Sequence, residues 1–244
     1  MDTKQLADKL VSWLKEQVLA TQCAGAVIGM SGGVDSSVVA VLCRRALPQN
    51  VLGVIIPCHS KQEDEEHARM VADKFSIPTR KVALDTAFDI LIDSLPDEKG
   101  EASLRELARA NLKPRLRMLT LYYIANQLRY MVAGSGNRSE LAVGYFTKYG
   151  DGGVDILPLG NLVKGQVREL AKYLEIPQPI IEKSPSAGLW EGQTDEDEMG
   201  LSYKELDRYL LTGEAIGTLK KKIEMMAKIS NHKRQTLPIP AFRI

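Results

Sequence analysis

Cysteine and histidine are scarce in this chain, three of each in 244 residues, and no CxxC pair or metal-ligand spacing brings any of them together. Cys23, Cys43 and Cys58 are isolated, odd in number and set among apolar residues, which suits reduced, buried thiols rather than disulfides. An excess of either charge is missing too. Lys and Arg number 32 against 31 Asp and Glu, and a net charge of +1 gives no sign of a nucleic-acid surface. No uninterrupted apolar run is long enough to cross a bilayer, so no membrane partner is expected. The first ten residues, MDTKQLADKL, carry charges where a signal peptide would have its apolar centre, which points to a cytoplasmic protein. What is present is the composition of an ordinary globular protein, 44% hydrophobic and 26% charged, with length enough for one substantial core.

The apolar residues recur alternately at helix and strand periods. Leu6, Leu10, Trp13, Leu14 and Val18 share one face of a helix over residues 3–19, and AGAVIGM (24–30) is an apolar strand ending in glycine. VDSSVVAVLCRRAL reads as a buried helix and VLGVIIPC (51–58) as a second strand. Ala68, Val71, Ala72 and Phe75 mark the next helix, and KVALD (81–85) a third strand. Residues 102–130 are helical, with Pro114 placed in the first turn of a second helix. RYMVAGSG returns to strand, and DILPLG (155–160) ends in turn residues. KGQVRELAKYLEIP carries Val167, Leu170, Ala171 and Leu174 on a core face, with Pro177 beyond its end. Strands alternating with helices predict one α/β domain over residues 1–244, a parallel sheet of about five strands with helices on both faces. Residues 183–200 show no period, and a stretch that long is read as a lid, with a solvated acidic run as the alternative. Helices at about 202–210 and 215–230 precede the tail HKRQTLPIPAFRI.

GMSGGVDSS (29–37) follows the first strand and contains no lysine or arginine. It is neither a Walker loop nor a GxGxxG fingerprint. A glycine pair before a helix still binds anions, because free N–H groups and the positive end of the helix dipole face the ligand. Asp35 would repel a phosphate unless a cation lay between them, so Mg²⁺ bridging Asp35 and the phosphates is expected. A bare glycine-serine turn with Asp35 and Ser36 capping a helix is the alternative for the loop alone.

The full SGGVDSS string resembles the loop of the pyrophosphatase-type ATP enzymes, which cleave ATP between the α and β phosphates. GSGNRSE (134–140), GYFTKYGDGGVDILPLG (144–160), KGQVRELA (164–171) and SPSAGLWEGQTDEDE (184–198), with NLKPRLRM (111–118) and HKR (232–234), resemble the ammonia-dependent NAD synthetases with spacings intact from about Gly25 onward. The resemblance implies an adenine nucleotide alpha hydrolase-like fold and a ligase that amidates deamido-NAD to NAD with ATP and ammonia, through an adenylated carboxylate, releasing AMP and pyrophosphate. It makes Gly29, Met30, Ser31, Gly32, Gly33, Val34, Asp35 and Ser36 the ATP loop, joined by Ser135, Ser186 and Lys164. Asp35 and Glu140 become Mg²⁺ ligands, and Asp35 and Lys164 the catalytic pair. Arg115, Lys148, Asp155, His232 and Lys233 fall at deamido-NAD positions. Ser135 and Ser186 depart from the threonine usual in the family. The resemblance also implies a homodimer, with the helices at 116–128 and the amino terminus as candidate surfaces. It implies no glutaminase domain, so that ammonia is the direct nitrogen donor.

Overall fold

Residues 2–96, 101–190 and 192–241 are described by a computed structural model. Four strands, Gly25–Gly29 (β1), Val51–Ile55 (β2), Thr79–Lys81 (β3) and Tyr130–Ala133 (β4), form a parallel sheet in the order β3-β2-β1-β4. Val27 lies opposite Leu52 on one side and Val132 on the other. The DILPLG stretch contributes one parallel bridge, Ile156 to Ala133, instead of a full fifth strand. Pro158 has no N–H to give a ladder, and Gly160 N turns back to Leu157 O at 3.1 Å.

Side chains alternate across a strand, so Ala26 and Ile28 enter one core and Val27 the other. The first core is closed by Thr3–Ala20 (α1), Val34–Ala46 (α2), Gln62–Lys74 (α3) and later Lys164–Tyr173 (α7), whose Val167, Leu170 and Ala171 are fully buried, as is Leu174 just beyond it. The second is closed by Asp85–Ser94 (α4) and Ala102–Leu128 (α5). A third, smaller cluster joins Arg138–Val143 (α6), Asp195–Met199 (α9), Tyr203–Thr212 (α10) and Gly217–Ile229 (α11) beyond the carboxyl end of the sheet's β4 side. Gln178–Glu182 (α8) and a 3₁₀ turn at Ser230–Lys233 complete the order. Cys43 and Cys58 are buried and Cys23 partly so, all free; burial pushes the Cys43 thiol up to about 12.

Three sequence expectations shift. The third strand lies at Thr79–Lys81 instead of 81–85: it is an edge strand with all three residues exposed, so it has no apolar pattern, while Val82 and Leu84 pack below α4 and α5. Pro114 sits inside a continuous 27-residue helix, not at the start of a second one. Beyond the proline α5 buries Met118, Leu121 and Ile124 in the second core, and before it Leu112 packs partly against the same core, which offsets the roughly 3 kcal/mol that an internal proline costs. Pro177 lies beyond the end of α7, as expected, and there serves as the N-cap of α8. The segment at 183–200 holds a helix, α9, too short to show a period but marked by its cap, Thr194 accepting from Asp197 N at 3.2 Å. Glu191 in that segment and the last three residues of the tail lie outside the described residues.

Candidate active site

The loop Gly29–Ser36 leaves β1 at its carboxyl end and turns into α2. Gly32 has φ +76°, and a Cβ there would stand 2.2 Å from the Asp64 carbonyl oxygen, so both backbone and space demand glycine. Hydroxyls replace basic side chains in shaping the turn: Ser36 and Ser37 donate to Gly33 O at 3.1 and 2.8 Å, and Ser31 Oγ lies 2.9 Å from Ser36 Oγ. Gly33, the N-cap residue, has no side chain to block the first-turn N–H groups of α2.

Lys164, the first residue of α7, brings the charge that the loop lacks. Its side chain is 3% exposed; Nζ donates to Asp35 Oδ2 at 2.5 Å and Glu140 Oε1 at 3.3 Å, and lies 5.0 Å from the centre of the Tyr203 ring. Asp35 Oδ1 accepts from Asn137 Nδ2 at 2.9 Å. Asn137 and Glu140 form the capping box of α6, each side chain accepting from the other's backbone N–H at 3.0 and 3.1 Å, so the NRSE string folds locally into the device that aims Glu140. Asp195, from α9, completes the cluster: Oδ2 accepts from Tyr203 OH at 2.8 Å, and Oδ1 is buried without a hydrogen bond.

Burial pushes the Glu140 carboxyl up to about 7; Lys164 pulls it back and Asp35 adds to the rise. Burial alone would lower the Lys164 ammonium, but Asp35 and Glu140 outweigh it and hold it above the usual lysine range. Asp195 is raised, by burial first, against the Tyr203 hydrogen bond. Three carboxylates thus face one ammonium in a low-dielectric setting. Among the described residues no three His, Cys, Asp or Glu side chains are arranged to cage a metal. The donor set fits a hard divalent cation bound by one or two carboxylates plus oxygens of a ligand, the way Mg²⁺ is usually held.

These groups stand along a cleft of about 550 Å³. All of Gly29–Ser36 except Gly32 line it, and so do Ser135, Glu140, Lys164, Ser186 and Lys233. Lys233 Nζ donates to Gly144 O at 2.8 Å and Phe146 O at 2.7 Å. The other expected dinucleotide residues do not line it. Arg115 Nε donates to Lys148 O at 3.2 Å and Lys148 Nζ to His232 O at 3.0 Å, a chain outside the cleft. Asp155 is held by Tyr122 OH at 2.8 Å and Val132 N at 2.7 Å beside β4.

Residues 6–237 match the NAD synthase family. The chain belongs to it. A curated relative, the NH(3)-dependent NAD(+) synthetase of Carboxydothermus hydrogenoformans, is 51% identical over 237 residues, 97% of each chain. Among solved structures, NMN synthetase from Francisella tularensis superposes with a TM-score of 0.92 at 36% identity, covering 99% of this chain and 100% of that one. The NH3-dependent NAD synthetase of Campylobacter jejuni, with a nitrate ion, gives 0.80 at 28% identity over 98% and 99%.

The NAD synthase cleft is also lined by Arg117 and Asp195, which were not among the expected site residues, and Tyr203 supports Asp195 from beside it. The Arg117 guanidinium donates to Ile56 O and Ser60 Oγ, both at 3.0 Å. Arg115 and Arg117 are two apart on α5 and so point to different sides, a signal available from helical geometry. Asp195 and Tyr203 left no comparable signal, because a lone Asp in an acidic run and a Tyr at a helix start are common on surfaces.

Proposed function

We propose that this NAD synthase family chain is an ammonia-dependent ligase that forms NAD from deamido-NAD, the last step of NAD biosynthesis. ATP adenylates the nicotinate carboxylate with loss of pyrophosphate, and ammonia displaces AMP from the acyl adenylate. The observation that carries this reading is a buried ammonium, Lys164, held between Asp35 of a lysine-free phosphate loop and Glu140. The curated relatives, named as NH(3)-dependent NAD(+) synthetases, support ammonia as donor.

The backbone N–H groups of residues 29–36 orient the β and γ phosphates, with Ser135 and Ser186 as further ATP contacts. Lys164 sits where it can neutralise charge growing on the leaving pyrophosphate. Asp35 and Glu140 would hold Mg²⁺, which when bound supplies Lewis-acid stabilisation to the same oxygens. Residues 183–200 act as a lid that keeps water from the acyl adenylate. Arg115, Lys148, Asp155, His232 and Lys233 serve deamido-NAD; four of them lie off the cleft of one chain, which favours a homodimer in which the dinucleotide spans the subunit boundary. The enzyme works in the cytoplasm, and residues 1–244 form one synthetase domain.

A second substrate reading has an observation behind it: the likeness to NMN synthetase, at a TM-score of 0.92, favours the nicotinate mononucleotide. One assay separates the two. Purified protein is given ATP, Mg²⁺, ammonium or glutamine, and either nucleotide, and amide, AMP and pyrophosphate are quantified. Equal amounts of the three products with deamido-NAD and ammonium are expected. Product from the mononucleotide alone would move the substrate assignment, and ATP binding without pyrophosphate release would overturn the ligase reading.

A further inference from the structure

The start of α7 is only half capped by its own sequence: Gln166 Oε1 accepts from Val163 N at 3.1 Å, but nothing local serves the first N–H groups of the helix itself. Val163 occupies the N-cap position, among the poorest residues for it, and its side chain accepts nothing. The first two N–H groups of the helix are satisfied from elsewhere: Lys164 N donates to Ser139 Oγ at 3.1 Å, and Gly165 N donates to Asp207 Oδ2 at 2.7 Å. Ser139 Oγ in turn donates to Asp207 Oδ1 at 2.5 Å, so both carboxylate oxygens of Asp207 are engaged. Ser139 and Asp207 are buried, on α6 and α10. A Cβ at residue 165 would stand 3.3 Å from Asp207 Oδ2, which explains a glycine one residue into a helix.

We propose that Asp207, acting through Ser139 and Gly165, is a positioning residue for Lys164. Its carboxylate is a cap supplied in trans, and its charge complements the positive end of the α7 dipole. The position and direction of the Lys164 backbone are set by these bonds, and the Nζ reaches Asp35 and Glu140 only from there. Because Ser139 lies one residue before Glu140 on the short helix α6, the same carboxylate holds the lysine and the Glu140 helix in mutual register. The inference rests on the role given to Lys164 under the proposed function.

Asp207→Asn keeps the shape and an acceptor for one N–H but loses the charge and the double acceptance. With wild-type amide formation as reference, this variant is expected to lose about 10- to 100-fold in kcat. Its KM values for ATP and the nicotinate nucleotide should stay within about twofold, because the ligand contacts are untouched. Ser139→Ala, which breaks the link to the Lys164 N–H and leaves Gly165 bonded, should lose kcat in the same sense and decides the matter if Asp207→Asn does not fold. Arg138→Gln is the control: it removes another tie between α6 and α10, Arg138 Nη2 to Leu210 O at 2.9 Å, without touching α7. It should keep wild-type kcat. An unchanged kcat in folded Asp207→Asn, or an equal loss in Arg138→Gln, overturns the proposal. If the wild type makes no amide, the functional reading fails and this one falls with it.

Discussion

At residue 32 the backbone leaves no choice. Alanine there must adopt φ +76° and push the Asp64 carbonyl aside, so Gly32→Ala should lose about 2 to 4 kcal/mol of unfolding free energy, measured in urea. A loss below about 1 kcal/mol would mean that the loop relaxes freely. Asp35→Asn keeps the Asn137 contact in outline but removes a charge facing Lys164; turnover should fall by on the order of 100-fold or more with the fold intact. Glu140 carries a pH signature. Its carboxyl, ordinarily at 4.5, is raised to about 7 by burial, so within that window the native chain binds more protons than the unfolded one. The stability it contributes is complete below the lower value and is lost as pH rises through the upper one, by about 1 to 3 kcal/mol. Ligand-free Glu140→Gln should show a flatter decline than wild type between about pH 5 and pH 8; parallel slopes would refute the assignment. Asp35 and Glu140 were legible in the sequence because each stands in a long motif. Asp207 was not, since nothing in YKELDRYL distinguishes a buried acid from a solvated one.

Element by element, legibility followed burial. Helices with one apolar face, such as α1 and α7, were read with boundaries within a few residues, whereas β3 was displaced because its edge position exposes every side chain. The segment from Lys183 to α9 is tied at intervals: Lys183 Nζ to Asp64 Oδ1 at 2.5 Å, Lys113 Nζ to Leu189 O at 2.8 Å, and Gln193 Nε2 to Glu198 Oε2 at 2.7 Å. Leu189 N also donates to Gln193 Oε1 at 2.8 Å and Asp195 N to Pro185 O at 3.0 Å, so among the described residues the segment is held by individual bonds and not by a continuous ladder, which suits local opening. Cleaving the chain between Ser184 and Gly192 should leave ATP affinity largely intact while pyrophosphate release outruns amide formation. Unchanged coupling after the cut would remove the lid from the mechanism.

For the whole molecule, α5 turns two faces to different neighbours. Leu121, Ile124 and Ala125 fill the core beneath β1 and β4, while Leu119 and Tyr123, one turn apart, are 67% and 65% exposed. Ile90 on α4 and Leu104 on α5 are also exposed. Large apolar residues left in solvent at this spacing would suit the subunit interface of the proposed homodimer. Sedimentation should show a dimer at micromolar protein, and Leu119→Asp should shift it to monomer with a raised KM for deamido-NAD. A wild-type monomer with substrates bound would reject this surface.

The alternating α/β order, the anion loop after the first strand and the core faces of α1, α2 and α7 followed from sequence alone, because each depends on neighbours within a few turns of the same chain. The meeting of Asp35, Glu140, Lys164 and Asp195 did not. They lie on four elements spread over 160 residues, and their distances, their shared burial and the capping of α7 by Ser139 and Asp207 arise from how the α6, α9 and α10 cluster packs against the sheet. Charge in a buried site is set by the sum of its neighbours, and that sum exists only in the folded chain.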